Sequence, residues 1–237
     1  MGGVLLTALV TAGATREHLD DVRYLTNGSS GRMGYAIAAA LRTAGCRVHL
    51  VSGPVELEPP AGVEVHFVTT ALEMLAVVER LFAGCDLVFA VAAVADYRPR
   101  TRVAGKPAKS IGGLQLELVP NPDIIATLGA NKGAKTLVGF ALESAPASES
   151  TQQATQQATT AALARGRDKL RKKGLDMIVV NWAPTIGAHD ISAWVLGADG
   201  SQEALPRLSK AEFAAQLVTR AMKLAAGRQA RPEDGHE

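Results

Sequence analysis

Residues Leu87 to Ala95 read LVFAVAAVA, an unbroken apolar run dominated by Val and Ala. It falls far short of the ~20 residues that a membrane span requires, and it lacks the polar alternation of a strand with one wet face. It therefore predicts a strand covered on both faces, as at the centre of a parallel sheet. Upstream, Val4 to Gly13 reads as another doubly buried strand, Arg47 to Gly53 as a further strand and Val63 to Thr70 as an alternating one. A polar turn follows Gly13. Helical stretches separate these strands, Gly31 through Leu41 stopping at Gly45, and Ala71 to Phe82 ending at Gly84. Downstream, Pro99, Gly105, Pro107, Gly112 and Gly113 mark Tyr97 to Gly113 as a flap. Leu114 to Val119 alternates as a strand, Pro122 starts a short helix, and Thr136 to Ala141 reads as a buried strand. Thr151 to Thr160 (TQQATQQATT) is low-complexity and reads as helical or partly disordered. A basic helix to Lys173, a strand over Met177 to Val180, a hairpin around Ile191 to Gly200 and a helix from Lys210 to Ala226 complete the series. The alternation predicts an α/β fold: a doubly wound, mostly parallel Rossmann-like sheet, with helices on both faces and a flap after the central strand. Its function is expected at the carboxyl ends of the strands. No linker-like composition interrupts the pattern, so residues 1–227 read as a single α/β domain and residues 228–237 as a polar C-terminal tail.

Composition narrows the function classes. With 47% hydrophobic and 20% charged residues the chain has the profile of a soluble globular protein, and 4% aromatics leave a core of Ala, Val, Leu and Ile. A net charge of +2 argues against nucleic acid as a partner. No basic residue precedes Arg16, as it would in a signal peptide, and no stretch reads as a membrane anchor, so a cytoplasmic location is expected. Cys46 and Cys85 are too few for a disulfide scaffold or a zinc cluster and read as small core residues. His18, His49, His66, His189 and His236 show no metal-ligand spacing and receive no catalytic role.

Positive charge is segregated. The acid-free flap carries Arg98, Arg100, Arg102, Lys106 and Lys109, and the basic helix carries Arg165, Arg167, Lys169, Arg171, Lys172 and Lys173 against Asp168. Such runs suit either a solvated surface or a polyanionic small molecule such as a nucleoside triphosphate. On a helix, Arg165, Lys169 and Lys173 share a face. Thr26 to Gly34 (TNGSSGRMG) sets three glycines and two serines before a helix, where exposed amides favour anions. As a dinucleotide fingerprint it is poor, because it begins well beyond Gly13 and no acid closes the strand at Val51 to Gly53. A plain tight turn at Asn27 and Gly28 is the alternative.

Taken together, Val10 to Glu17 (VTAGATRE) and Asp21 to Gly34 (DVRYLTNGSSGRMG) resemble the opening of the phosphopantothenoylcysteine synthetase family. Ala92 to Pro99 (AAVADYRP), Asn121 to Ile124 (NPDI), Val138 to Ala141 (VGFA) and Lys173 to Asn181 (KGLDMIVVN) follow in that family's order. The sequence departs from the pattern at Ala14, where a second glycine is usual. It departs again in the short lysine motif Lys106 to Lys109, and in a long stretch from Ala145 to Thr160. The resemblance implies ligation of phosphopantothenate to cysteine on the route to coenzyme A. CTP would supply an acyl-cytidylate, and Mg²⁺ would accompany the triphosphate. It also implies a homodimer, with the strands near Leu114 or Ile191 as contacts. The flavin-dependent decarboxylase often fused in front is not expected in this chain, and no flavin with it.

The same resemblance assigns residues. Lys106 would lie against the α-phosphate, and Asn27 would donate its amide to the acyl group. Ala92, Ala93, Val94 and Asp96 would line the nucleotide pocket, and Pro122, Asp123, Ile124 and Ile125 would present backbone groups at a helix start. Phe140 would pack on the nucleotide, Lys169 and Lys173 would hold phosphate oxygens, and Ser29, Ser30 and Gly31 would contact a phosphate at the turn. Mg²⁺ ligands are not assigned. An NAD(P)-dependent reductase and a non-catalytic nucleotide-binding module remain as alternatives.

Overall fold

A computed structural model describes residues 5–108, 112–144, 151–183 and 188–229. In chain order the elements are β1 (Thr7–Ala12), β2 (Arg16–His18), β3 (Tyr24–Thr26), α1 (Arg32–Thr43), β4 (Arg47–Ser52), β5 (Glu64–Phe67), α2 (Ala71–Phe82) and β6 (Leu87–Ala90). They continue with β7 (Tyr97–Pro99), β8 (Leu118–Pro120), α3 (Ile124–Ala130), β9 (Thr136–Glu143), α4 (Gln152–Lys172), β10 (Met177–Trp182), β11 (Asp190–Gly197), β12 (Gln202–Ser209) and α5 (Lys210–Gln229).

The main sheet has the order β12-β11-β10-β9-β6-β1-β4-β5. Its strands from β10 to β5 are mutually parallel, and β11 and β12 form an antiparallel hairpin at one edge. Side chains alternate between the two faces, and each face is covered. Ala8, Val10, Phe89 and Val179 pack with Ile37 and Leu41 of α1 and Phe213 and Leu217 of α5. Leu9, Val88, Leu137 and Ile178 pack with Met74 and Val78 of α2, Leu128 of α3 and Leu163 of α4. Burial on both sides is why these strands read as continuous apolar runs; a fully buried Leu or Phe contributes about 1.5–3 kcal/mol. The doubly wound α/β architecture is therefore as the sequence predicts. Cys46 and Cys85 are core residues, and burial pushes the Cys85 thiol up to about 11.

Three expectations need correction. The run at Leu87 to Ala95 is a strand only to Ala90, because the Thr11 hydroxyl accepts the amides of both Val91 and Ala92, at 3.1 Å each, and turns the chain off the ladder. The polar turn after Gly13 contains a hairpin, β2 with β3, whose short strands carry no apolar periodicity. Leu114 to Val119 is not an extended strand. Only Leu118–Pro120 pairs, with β7, while Leu114 and Leu116 are exposed. The low-complexity segment takes the helical of its two readings and continues into the basic helix as one element, α4, with Thr151 as its cap accepting from the Ala154 amide at 3.2 Å. Lys109, residues 145–150 and the tail from 230 lie outside the described residues.

Candidate active site

The strand order reverses around β1, with β4 on one side and β6 on the other. Loops leaving the carboxyl ends of β1 and β6 must part there, and the gap is where open α/β sheets bind ligands. A cleft of about 540 Å³ occupies this rim. Its floor is the chain from Ala90 to Asp96, which the protein fixes from several directions. Ala93 donates to the Gly13 carbonyl at 2.8 Å, and Ala95 donates to the Thr15 hydroxyl at 3.0 Å. Asn27 donates its side-chain amide to the carbonyls of Ala93 and Val94, at 3.1 and 3.2 Å. Asn121 donates its side-chain amide to the Ala95 carbonyl at 2.8 Å and accepts from Arg98 at 3.0 Å. Ala14 forms a bridge with Ala93, so the departure from glycine at this position is accommodated without a left-handed backbone.

One wall is the turn before α1. Gly31 takes a positive φ of 76°, a conformation that favours glycine, and it places Ser29, Ser30 and the first amides of α1 along the cleft. Gly34 serves differently. A Cβ there would meet the Ala12 Cβ at 2.5 Å, so glycine lets α1 lie close on β1. The opposite wall is the start of α3, where Asp123 caps the helix by accepting from the Ala126 amide at 3.1 Å and pairs with Lys173 at 2.7 Å. Lys169 lines the same wall and bonds Glu143 at 3.2 Å, beside Arg165 at 2.7 Å. Burial resists ionisation of Glu143, but the hydrogen bonds from Arg165 and Lys169 outweigh it and hold the carboxyl below its usual range. A buried carboxylate thus positions the cations of the basic helix.

The cleft gathers nearly all of the expected residues. Asn27, Ser29, Ser30, Gly31, Ala92, Ala93, Val94, Asp96, Pro122, Asp123, Ile124, Ile125, Phe140, Lys169 and Lys173 all line it. Lys106 does not: it is exposed on the flap, beside Gly105, whose amide donates to Asp21 at 2.8 Å. Three of the flap cations are already engaged, Arg98 with Asn121, Arg100 with Glu117 and Arg102 with Asp21. The sequence reading missed Thr11, Arg32, Asn121, Asn181 and Lys210 as cleft residues. Arg32, Asn121 and Asn181 stand inside the quoted motifs, so their signal was present. Lys210 lies too far along the chain to be linked to the turn without the fold. Arg32 and Lys210 are a second pair of basic side chains in the cleft, close enough that burial, then the charge of Arg32, lowers the Lys210 pKa.

The model of the DNA/pantothenate metabolism flavoprotein C-terminal domain family matches residues 5–224. The chain is 38% identical to the coenzyme A biosynthesis bifunctional protein CoaBC of Bacillus subtilis, over 89% of this chain and 49% of that protein. It is 41% identical to the protein of the same name from Vibrio cholerae, over 89% of this chain and 50% of that one. It thus spans about half the length of the curated relatives it matches. Among solved structures it is similar to the C-terminal domain of CoaBC, with a TM-score of 0.75 and 36% identity, covering 93% of this chain and 96% of that one. A DNA/pantothenate metabolism flavoprotein from Streptococcus pneumoniae, at 22% identity and a TM-score of 0.77, shares the fold over 92% of this chain and 99% of that one.

Proposed function

The chain belongs to the DNA/pantothenate metabolism flavoprotein C-terminal domain family, and on that premise we propose that it ligates 4′-phosphopantothenate to L-cysteine at the expense of CTP. The observation that carries this reading is the single rim cleft with a cationic pair at each end. Lys169 and Lys173 flank the α3 start, and Arg32 and Lys210 flank the serine turn. Two phosphorylated substrates need two such ends, and a module that binds a single nucleoside triphosphate needs only one.

A carboxylate is inert to an amine, so it must first be activated. A carboxylate oxygen of phosphopantothenate bonds to the α-phosphorus of CTP, and the bond from that phosphorus to the bridging oxygen breaks to release pyrophosphate. The cysteine amine then bonds to the acyl carbon, CMP leaves with the acyl–oxygen bond electrons, and the ammonium loses its proton. No protein nucleophile takes part, so the residues act by positioning and by offsetting charge. The nucleotide lies on the Ala92 to Asp96 floor against Phe140, with its phosphates between the α3 amides, Lys169 and Lys173. The phosphate of phosphopantothenate lies against Ser29, Ser30 and the Gly31 turn, with Arg32 and Lys210. Asn27 exchanges one of its rim carbonyls for the acyl oxygen. Lys106 reaches the α-phosphate only when the flap folds inward.

The donors present fit Mg²⁺. Asp96 lines the cleft, exposed and with no side-chain ion pair among the described residues, whereas Asp123 is committed to its helix cap and Lys173. Asp96 would hold the ion together with phosphate oxygens, and Mg²⁺ would neutralise triphosphate charge there. We also propose a homodimer using Leu114, Leu116 and Leu118, which are exposed, and not Ile191, which is buried in the core. No helix among the described residues is long and apolar enough to cross a membrane, and a cytoplasmic site of action fits the reading.

The test is pyrophosphate release measured with phosphopantothenate, cysteine, Mg²⁺ and each of CTP, ATP and NADPH in turn. Release that requires both CTP and phosphopantothenate is expected. CTP binding without release would leave a nucleotide-binding module, and NADPH oxidation would leave a reductase. Lys106→Ala is expected to slow release by about 10²–10³-fold, the typical cost of removing one group that stabilises transition-state charge.

A further inference from the structure

The histidines carry no metal spacing in the sequence, yet the sheet register assembles such a group. His49 of β4 pairs with Glu64 at the start of β5, and His66 follows two residues later on the same face as Glu64. His49 alternates with Val48 and Leu50 and shares its face with Val51, which packs in the α2 layer. His49 Nδ1 lies 3.3 Å from His66 Nε2 and 3.3 Å from Glu64 Oε2, and His66 Nε2 lies 3.4 Å from Glu64 Oε1. None of the three lines the cleft.

These separations have a simple meaning. An ion with ligands at about 2.0–2.1 Å in tetrahedral array holds neighbouring donors about 3.3–3.4 Å apart. We propose that His49, Glu64 and His66 form a binding site for a divalent transition-metal ion of the Zn²⁺ class, on the β4–β5 edge of the sheet and outside the cleft.

Two imidazoles and one carboxylate select Zn²⁺, Co²⁺ or Ni²⁺ over Mg²⁺, which prefers an all-oxygen octahedron. The site is therefore chemically distinct from the Mg²⁺ donors of the ligation. Three protein ligands leave a fourth position for water, and Glu64 keeps about half of its side chain exposed, so an ion has a way in. His49 meets Oε2 of Glu64 and His66 meets Oε1, and Arg47 also reaches Oε2 at 3.3 Å, so the half-exposed carboxylate would turn to give the ion one oxygen between the two imidazoles. Burial, only partly opposed by Glu64, lowers the His49 pKa, with Arg47 and His66 adding to the shift; this favours the neutral imidazole that a metal requires. Because β5 is the edge strand, the ion would clamp it to β4.

The competing arrangement is a hydrogen-bonded His–His pair with one shared proton, which needs no ion. The two are separated by titrating the untagged, chelator-treated full chain with Zn²⁺ alone by calorimetry, and with Co²⁺ followed by visible absorption. The expected result is one saturable ion per chain, intense four-coordinate Co²⁺ bands, and a Tm raised by Zn²⁺. His66→Gln and Glu64→Gln should each weaken binding by at least about tenfold and abolish the Tm shift, while His189→Gln changes neither. Absence of saturable binding, or binding unchanged in both His66→Gln and Glu64→Gln, would overturn the proposal.

Discussion

Asn27 commits both hydrogens of its amide to the carbonyls of Ala93 and Val94, so one side chain ties the serine turn to the nucleotide floor across 66 residues of sequence. If it also meets the acyl oxygen, its removal affects both halves of the reaction. Asn27→Ala should lower kcat/KM for phosphopantothenate by about 10²-fold, the cost of a lost donor at a developing charge. The residue is exposed but makes two hydrogen bonds, so its removal should lower stability by only about 1 kcal/mol. Steady-state kinetics alongside thermal melting checks the pair of outcomes, and a large fall in Tm with unchanged kinetics would make Asn27 a structural tie only. Such a residue is half-legible in sequence. The Asn-Gly pair announces a turn, but the partner carbonyls belong to a loop that only the β1–β6 pairing brings near.

At the scale of elements, apolar periodicity forecast those that bury two faces and missed those held by polar bonds. β1, β4 and α2 fall where the sequence puts them, because Leu9, Leu50 and Met74 must leave water. The β2–β3 hairpin is built otherwise, around Asp20. Its carboxylate accepts from the amides of Arg23 and Val22 at 2.7 and 2.8 Å and from the Arg23 guanidinium. The two backbone bonds, with Arg23 adding to them against the opposing effect of burial, hold the Asp20 pKa at about 2 against an ordinary 3.8. A depressed carboxyl stabilises the fold above its unfolded pKa and loses that contribution as pH falls through the folded value. Acid should therefore erode stability between about pH 4 and pH 2, and Asp20→Asn should flatten that limb of a Tm-against-pH curve. The α1–β1 contact is a packing matter instead. Gly34→Ala drives a methyl to 2.5 Å from the Ala12 Cβ and 3.0 Å from the Thr11 carbonyl. Overpacking of this kind costs about 1–3 kcal/mol, read as a Tm lowered by several degrees in a chain of this size. An unchanged Tm would show that α1 can slide.

Over the whole molecule, the site is legible to the extent that its residues sit in strand-end loops, which the doubly wound pattern sends to one rim. Lys210 and Glu143 stay hidden because their relevance depends on α5 packing beside α1 and on β9 running next to β10, neither of which local sequence encodes. The flap poses the opposite problem. Its lysine motif is legible, yet Lys106 stands outside the cleft. The reason is a tether: Asp21 accepts from Arg102 and from the Gly105 amide at 2.8 Å each, and its own amide donates to the Gly105 carbonyl at 3.2 Å. If Lys106 must travel to the α-phosphate, these bonds break and re-form in each turnover, and loosening them trades order for reach. Asp21 is exposed, so Asp21→Ala should leave Tm almost unchanged. It should nonetheless speed tryptic cleavage after Arg100 and Arg102 several-fold, because proteolysis follows the population of the opened segment, while Pro107 protects the bond after Lys106. MgCTP with phosphopantothenate should slow that cleavage in both proteins if the closed flap covers the ligands. Equal cleavage rates with and without ligands would mean that the flap stays against the hairpin throughout and that Lys106 never reaches the phosphate.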